Sequence, residues 1–304
     1  MKIALISDIH SNSQALEAVI QDIRQFYPDV EAYWFLGDLI GYCGNPVESY
    51  QTLKSLLNRD ETNYFWLGGN HEEIKLDDVY KRDTLRIGSS DAIDKKQVLE
   101  LAGSGIDVKF IIWREKIVRK DLDGIAYFLT HSSYSTPDNY HKYLFGWVED
   151  NVYEKLFLDE YRKLPDYTLS RCMLFGHTHI PTLVRAKIGL SGIGFDPVEI
   201  TPFQTYTIEP DYTWFINPGS VGIPNDLDPR AAYAVLNTGA NHAQITFNRV
   251  EYDVDAAAHA LEKKNYGARY TAGIVDRLHN AICDPETPEK WRLHYEKVKG
   301  IKRP

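Results

Sequence analysis

Short apolar runs that each end on a polar or glycine residue recur along the chain. Runs of this length, bounded in this way, predict strands that are buried on both faces. Six of them cover Ile3 to Ile6, Ala32 to Leu36, Tyr64 to Leu67, Ile125 to Leu129, Cys172 to Phe175 and Trp214 to Ile216. Two later segments, Ala232 to Leu236 and Gln244 to Tyr252, predict a further pair of strands that run antiparallel.

Helical periodicity separates the first three of these strands. Apolar residues at helical spacing from Leu16 to Ile23 predict a first helix, with Ser13 as its N-cap. Asn45 followed by Pro46 predicts the cap and first turn of a second helix. The order strand, helix, strand, helix, strand is typical of an α/β layered fold.

The remaining segments have weaker patterns. Residues 73–120 are charged and weakly periodic, and we expect helices on the flank of the sheet there. We also expect a helix near residues 149–163, hairpins and loops over 183–210, and amphipathic helices from about residue 255. No repeat or convincing linker interrupts the sequence, so a single domain over residues 1–304 with C-terminal helices is predicted.

Composition narrows the class of protein. The 304 residues carry a formal net charge of −9, which argues against a surface that binds a long nucleic acid. Three cysteines without a C-x-x-C pair imply no disulfide framework and favour a reducing compartment. The N-terminal apolar run is too short for a signal peptide or a membrane span. We therefore expect a cytoplasmic protein with no membrane partner.

Five of the predicted strands end on nitrogen and oxygen donors. Carboxyl ends of strands in an open α/β sheet converge on one crevice. Five of the ten histidines lie at these ends. The full set is Asp8, His10, Asp38, Asn70, His71, His131, His177 and His179. Such donors bind first-row divalent metals, and their number suits two ions that share a bridging carboxylate.

Each motif also has a structural alternative. A lone histidine at a strand end is more often a hydrogen-bonded structural residue than a ligand, and an aspartate after glycine is usually a turn residue. The presence of such residues at five strand ends together favours the metal-binding interpretation over the structural one. Burying so many polar groups in one crevice without a metal would carry a large desolvation cost.

The same residues resemble a known family. Asp8-x-His10, Gly37-Asp38, Gly69-Asn70-His71-Glu72, His131 and Gly176-His177-x-His179 are similar, in order and spacing, to calcineurin-like metallophosphoesterases. The likeness runs from residue 3 to about residue 236. Gly41-Tyr42 after Asp38, and Asn217-Pro218-Gly219-Ser220, resemble the small prokaryotic phosphodiesterase branch that is related to diadenosine tetraphosphatases. This resemblance implies a four-layer αββα sandwich of two mixed β-sheets flanked by helices.

The resemblance also implies roles. One metal would be bound by Asp8, His10 and His179, the other by Asn70, His131 and His177, with Asp38 bridging the two. His71 would protonate the leaving oxygen, with Glu72 orienting its ring. Glu72 stands where aspartate is usual in the family. The expected cofactors are two divalent ions per chain, Mn²⁺ first, with Fe or Zn²⁺ as alternatives.

The expected function is phosphodiester hydrolysis of a small phosphorylated substrate, including nucleotides, by a hydroxide held between two ions about 3.5–4 Å apart. Two alternatives stay open: a phosphomonoesterase or protein serine/threonine phosphatase, and a non-catalytic metal-binding scaffold of the same fold.

Three residues are candidates for binding the substrate. Asn12 could bond the phosphate or simply cap the first helix, and Gly219-Ser220 could offer backbone N–H groups or form a plain turn. The aromatic residues from Tyr134 to Trp147 could stack a nucleobase, although core packing is favoured about two to one.

Overall fold

The computed structural model describes residues 1–57, 64–73, 90–112, 114–147, 151–165, 170–190, 192–239, 243–283 and 285–304. Its strands are β1 (Lys2–Ile6), β2 (Ala32–Phe35), β3 (Tyr64–Trp66), β4 (Ile117–Leu122), β5 (Ile125–Thr130), β6 (Ser170–Leu174), β7 (Thr182–Gly189), β8 (Gly192–Pro197), β9 (Thr205–Ile208), β10 (Thr213–Asn217), β11 (Ala231–Asn237) and β12 (Ala243–Val250). The helices are α1 (Ser13–Phe26), α2 (Pro46–Leu57), α3 (Ser90–Gly103), α4 (Lys109–Ile112), α5 (Asn151–Lys163), α6 (Val254–Glu262), α7 (Ala268–Asn280) and α8 (Glu289–Val298). A short 3-10 turn covers Asn70–Glu72.

These strands form two six-stranded sheets. The first has the order β3-β2-β1-β11-β12-β9, and the second β4-β5-β6-β10-β7-β8. In the first sheet β1, β2 and β3 are parallel, while β11 and β12 are antiparallel to their neighbours. In the second sheet β5, β6 and β10 are parallel and the outer pairs are antiparallel. Both sheets are therefore mixed, as the resemblance implied.

The apolar side chains divide into layers that explain why the sheets stack. One face of each sheet packs against the other in a single cluster that includes Leu5, Trp34, Tyr127 and Trp214. The outer face of the first sheet is covered by α1 to α4, and the outer face of the second by α5. Strands buried on both faces are apolar at nearly every position, which is why their runs were visible in the sequence. The four-layer αββα arrangement is confirmed.

Three local predictions need correction or qualification. Helices do occur in the weakly periodic segment, as α3 and α4, but residues 117–122 form the edge strand β4 rather than a helix. Residues 74–89 lie outside the described residues. The N-cap of α1 is Asn12 and not Ser13, because the Asn12 carboxamide accepts a hydrogen bond from the Ala15 N–H.

The C-terminal helices pack on the sandwich near the carboxyl ends of its strands. Helices α6 and α7 share an apolar cluster with Cys43, Ile93 and Ile223. Helix α8 packs through Trp291 and Tyr295 against an aromatic loop that follows β5. No helix within the described ranges is long and apolar enough to cross a membrane.

Candidate metal centre

The loops that follow five strands bring the predicted ligands together. Asp8 and His10 follow β1, Asp38 follows β2, Asn70 follows β3, His131 follows β5, and His177 and His179 follow β6. Their side chains form two buried clusters in which all the donor atoms lie within 4.8 Å of one another. The first contains Asp8, His10, Asp38 and His179, and the second Asp38, His131 and His177. Asp38 belongs to both clusters, the position that the resemblance gives to a bridging ligand.

Short distances link the donors within each cluster. In the first, the Nε2 atoms of His10 and His179 are 2.9 Å apart, and His179 Nε2 lies 3.4 Å from Asp8 Oδ1. In the second, His131 Nε2 lies 3.1 Å from Asp38 Oδ2. Asn70 Oδ1 is also 3.1 Å from His131 Nε2, so the carboxamide extends the second cluster.

Backbone carbonyls fix which nitrogen each histidine presents. Three of the histidines donate from Nδ1: His10 to the Ile40 carbonyl, His131 to the Leu36 carbonyl and His179 to the Ile223 carbonyl. His177 donates instead from Nε2, to the Tyr140 carbonyl. A carbonyl only accepts, so in the neutral rings of His10, His177 and His179 the other nitrogen carries a lone pair. His131 differs, because burial acts to lower its pKa but Asp38 raises it to about 9, and its Nε2 faces the Asp38 carboxylate. Outer hydrogen bonds of this kind set the tautomer of metal-binding histidines.

The electrostatics of the clusters fit a divalent cation. Burial lowers the pKa of His10, His177 and His179, to about 3 for His177, so these rings are neutral at pH 7, the form in which an imidazole binds a metal. Burial raises the pKa of Asp8 to about 7. Burial acts to raise the pKa of Asp38 as well, but the charge of His131 holds it well below its usual value. Facing lone pairs and buried carboxylates repel one another, and a shared cation removes that repulsion.

Backbone strain is concentrated at the same positions. Asp8, His10, Asp38, His177 and His179 all have φ between 50° and 69°, a left-handed conformation that non-glycine residues rarely adopt. Hydrogen bonds between the loops hold it: Asp8 N–H donates to the Gly37 carbonyl, and His177 N–H donates to the Asp8 carboxylate. Strain of about 1–3 kcal/mol per residue persists where surrounding contacts over-determine the conformation, and it is typical of functional sites.

One glycine permits the close approach of these loops. A Cβ at Gly69 would overlap the Asp38 carboxylate and its backbone nitrogen. The Gly-Asn-His-Glu segment can therefore pass directly beneath the shared ligand. There the His71 N–H donates to Asp38 Oδ1 at 3.0 Å.

His71 is paired with a carboxylate that was not predicted. Its Nδ1 lies 2.9 Å from both oxygens of Asp94, on α3. Burial acts to lower the pKa of His71, but Asp94 and Asp38 raise it well above its ordinary value. The Asp94 contact leaves Nε2 available to the cavity that His71 lines.

The prediction that Glu72 orients the His71 ring is wrong. Both Glu72 oxygens accept hydrogen bonds from backbone N–H groups, those of Asp38, Ile40 and Gly69, at 2.7 to 3.0 Å. The 3-10 turn directs Glu72 away from the neighbouring imidazole and beneath the loop that follows β2. Its role is to hold Asp38 in place.

Contacts of the three substrate-binding candidates also contradict their predicted role. Asn12 is fully buried, caps α1 and donates to the Gly222 carbonyl. Gly219 N–H donates to Asn217 Oδ1. Ser220 is fully buried and its hydroxyl donates to the Asp8 carbonyl. These groups support the loop that carries Asp8, and the structural alternative holds for each.

A cavity of about 180 Å³ opens onto both clusters. Asp38, Asn70, His71, His177 and His179 contribute to its wall. Tyr143 and Phe145 of the aromatic segment complete the wall, together with residues to which sequence reasoning assigned no role: Tyr42, Thr178, Asn225 and Arg277. The cavity therefore joins the clusters to the aromatic loop and to helix α7.

The residues of the site that the sequence analysis missed differ in whether the sequence carries a signal for them. Asp94 contacts His71, and Gln97 accepts a hydrogen bond from the Gly41 N–H in the loop that follows β2. Both lie on the same helical face as Val98 and Leu101, and all four are buried. Two polar residues within an apolar stripe are a detectable signal of a buried polar contact. Arg277 is one charged residue of an amphipathic C-terminal helix, and no local pattern distinguishes it.

The aromatic segment mainly packs. Tyr143 stacks on His177 with ring centroids 4.5 Å apart and is also parallel to Phe145. Phe145 stacks on Trp147, and both are buried against α8. The segment forms one aromatic stack that starts at His177 of the second cluster, and the contacts support the favoured interpretation of core packing.

Comparison with known proteins gives a family. Residues 1–181 match the calcineurin-like phosphoesterase family. An uncharacterized protein of Methanocaldococcus jannaschii is 28% identical over 261 residues, which cover 86% of this chain and 92% of that protein. A metallophosphoesterase of Sphaerobacter thermophilus has a TM-score of 0.68 at 23% identity, covering 93% of this chain and 100% of that chain.

A hypothetical protein of Pyrococcus horikoshii has a TM-score of 0.67 at 16% identity, covering 93% of this chain and 99% of that chain. The two solved structures share the fold of this chain. The family match covers more than half of the sequence and contains every predicted metal ligand. The chain therefore belongs to the calcineurin-like phosphoesterase family.

Proposed function

We propose that this protein is a metal-dependent phosphodiesterase that acts on small phosphorylated substrates, nucleotides among them. The observation that carries the proposal is the pair of buried clusters that share Asp38 and open onto one cavity. Two ions, Mn²⁺ first, would be held by the residues of these clusters together with Asn70. When bound, such ions activate water as a nucleophile and neutralise the non-bridging oxygens of a phosphate.

The chain itself supplies the proton for the leaving group. His71 lines the cavity, and its contact with Asp94 directs Nε2 toward the space a substrate would occupy. Burial acts to lower the pKa of His71, but the Asp94 carboxylate raises it, which favours the protonated imidazole that a general acid requires. An alkoxide leaving from a phosphodiester is strongly basic, so proton donation at this position is worth about 10²–10⁴-fold.

The dimensions of the cavity favour a small substrate. Pockets for drug-sized ligands have volumes of roughly 300–1,000 Å³, whereas this cavity has about 180 Å³. A phosphoryl group and its immediate substituents fit that space. The stacked Tyr143 and Phe145 bound it on one side, and Arg277 lies in the wall contributed by α7.

Two model esters test the proposal. The purified protein with Mn²⁺ is assayed on bis-p-nitrophenyl phosphate and on p-nitrophenyl phosphate, with metal analysis of the same preparation. We expect faster hydrolysis of the diester and loss of activity with a chelator. Preference for the monoester would establish a phosphomonoesterase instead. If the metal-loaded protein cleaves neither model ester and none of a panel of nucleotide diesters, the result would favour a non-catalytic metal-binding scaffold.

A further inference from the structure

Helix α7 brings a cation to the candidate metal centre. Ile274 and Leu278 are buried in the cluster that anchors α6 and α7 to the sandwich, so the position of the helix is set by packing. Arg277, which directly precedes Leu278, contributes to the wall of the cavity that His179 also lines. This arginine lies far outside the segment that matches the family.

The guanidinium is held from two directions. Arg277 Nη2 donates to Asn225 Oδ1 at 2.8 Å, and the guanidinium carbon lies 5.1 Å from the centroid of the Tyr42 ring. Asn225 is itself attached to the ligand loop, because its N–H donates to the His179 carbonyl at 3.2 Å. A continuous chain of contacts therefore links this cation to a predicted ligand.

Arg277 differs from two other arginines near the C-terminal helices. Arg230 pairs with Asp228 and Arg249 pairs with Asp226, and all four side chains are buried. Within the described ranges, Arg277 forms no ion pair with a carboxylate. A half-buried guanidinium in a cavity is stabilised by an anion, and its planar fork of N–H donors matches two phosphate oxygens.

We propose that Arg277 is a substrate-binding residue that holds the phosphate oxygens of the ligand in this cavity, with Asn225 positioning its guanidinium. This inference rests on the proposed function for its substrate, since both place a phosphate in the same cavity. It adds a phosphate contact from outside the segment that matches the family, on a helix that contributes to the wall of the cavity. An arginine here also favours substrates whose phosphate stays anionic at neutral pH.

Inorganic phosphate binding to the Mn²⁺-loaded protein tests the proposal without turnover. Calorimetry compares the wild type with Arg277→Gln, and Arg269→Gln is the matched control on the exposed side of α7. We expect Arg277→Gln to weaken phosphate binding about 10-fold or more, the effect of removing hydrogen bonds to a charged group. Arg277→Lys should recover part of the affinity, because it keeps the charge but not the fork. Arg269→Gln should bind phosphate as the wild type does.

Steady-state kinetics on the diester separate this proposal from the proposed function. We expect Arg277→Gln to raise KM more than it lowers kcat, with unchanged metal content and melting temperature. Phosphate affinity equal to that of the wild type in Arg277→Gln would overturn the role of Arg277, and so would a wild type that binds no phosphate. Weakened phosphate binding in Arg277→Gln together with an inactive wild type would uphold it and overturn the phosphodiesterase activity alone.

Discussion

A histidine that delivers a proton depends on the group at its other ring nitrogen. At His71 that group is Asp94, which is almost fully buried on α3 and contacts Nδ1 with both oxygens. Against the effect of burial, the carboxylate raises the pKa of His71 and fixes the orientation of its ring, which lines the cavity. His71 therefore has the contacts of a general acid, while the four other histidines of the site have the contacts of ligands.

Replacing His71 by asparagine should remove the proton and leave the metal. We expect kcat for the diester to fall about 10²–10⁴-fold, because general acid catalysis has this magnitude. Metal content measured by elemental analysis should stay near that of the wild type, since the His71 ring belongs to neither donor cluster. Unchanged turnover in His71→Asn would exclude it from the mechanism.

Asp94→Asn tests the positioning role of the carboxylate. The amide keeps the shape but lowers the charge beside His71, so we expect a smaller loss of kcat than in His71→Asn. The basic limb of the pH–rate profile should move to lower pH, because the pKa of His71 falls when its partner is neutral. An unshifted profile in the variant would contradict this role.

Replacing Asp38 should affect metal binding rather than proton transfer, because both donor clusters contain its carboxylate. Asp38→Ala should therefore lower the bound metal from about two ions per chain toward none. Elemental analysis after dialysis measures this loss. Asp29→Ala, at an exposed carboxylate that pairs with Lys2, is the control and should keep its metal. An Asp38→Ala protein that retains both ions would refute the bridging role.

The individual residues show where local sequence reasoning fails. Glu72 adjoins His71 in the sequence, yet its carboxylate accepts from three backbone amides, and the partner of His71 comes from 23 residues further along. Neighbours in a 3-10 turn point in different directions, so adjacency does not predict contact. The ligands themselves were predictable, because a strand end determines where its next side chains lie.

At the scale of elements, one helix supports the loop that follows β5. Glu160 on α5 is fully buried and accepts from the Ser133 hydroxyl at 2.6 Å and from the Ser135 N–H and hydroxyl at 2.8 and 2.7 Å. The same loop continues to Tyr140, whose carbonyl fixes the tautomer of His177. Helix α5 therefore supports the second cluster through a loop that it holds in place.

Glu160→Ala should destabilise the fold and weaken the second cluster. Removing a buried acceptor leaves its donors unsatisfied, which costs about 1–3 kcal/mol, and urea denaturation measures the change in the free energy of unfolding. Glu154→Ala, at an exposed position on the same helix, should stay within about 0.5 kcal/mol of the wild type. Equal stability of the two variants would show that the loop does not depend on this contact.

The sequence placed the elements that have a strong period, whereas in the weakly periodic segment it indicated helices without bounds and missed strand β4. Strands such as β5 are apolar throughout, whereas β4 carries three consecutive charged residues, Arg119 to Asp121, at a sheet edge and resembles its charged surroundings. Helix α3 has almost no net amphipathic pattern, because Asp94 and Gln97 interrupt its buried face. The two weak patterns have different causes: α3 buries polar residues that contact the loops of the site, whereas β4 exposes charged residues at the edge of its sheet.

At the scale of the whole molecule, the candidate centre lies where the two sheets meet. Asp8, Asp38 and Asn70 come from the first sheet, and His131 and His177 come from the second. Each cluster therefore contains residues from both sheets, since His179 joins the first cluster from the loop after β6. Ions bound here would connect the two sheets, in addition to the apolar layer between them.

This arrangement predicts that metal stabilises the folded protein as a whole. The ligands extend from residue 8 to residue 179 and meet only in the folded chain, so the ions bind the native state and not the unfolded one. At a metal concentration about 100 times the Kd, the gain in the free energy of unfolding is about 2.7 kcal/mol. We therefore expect thermal unfolding of the Mn²⁺-loaded protein at a higher temperature than the chelator-treated protein. Asp38→Ala, which lacks the shared ligand, should unfold at the same temperature with and without Mn²⁺. If added metal left the unfolding temperature of the wild type unchanged, the clusters would not form a centre that connects the sheets.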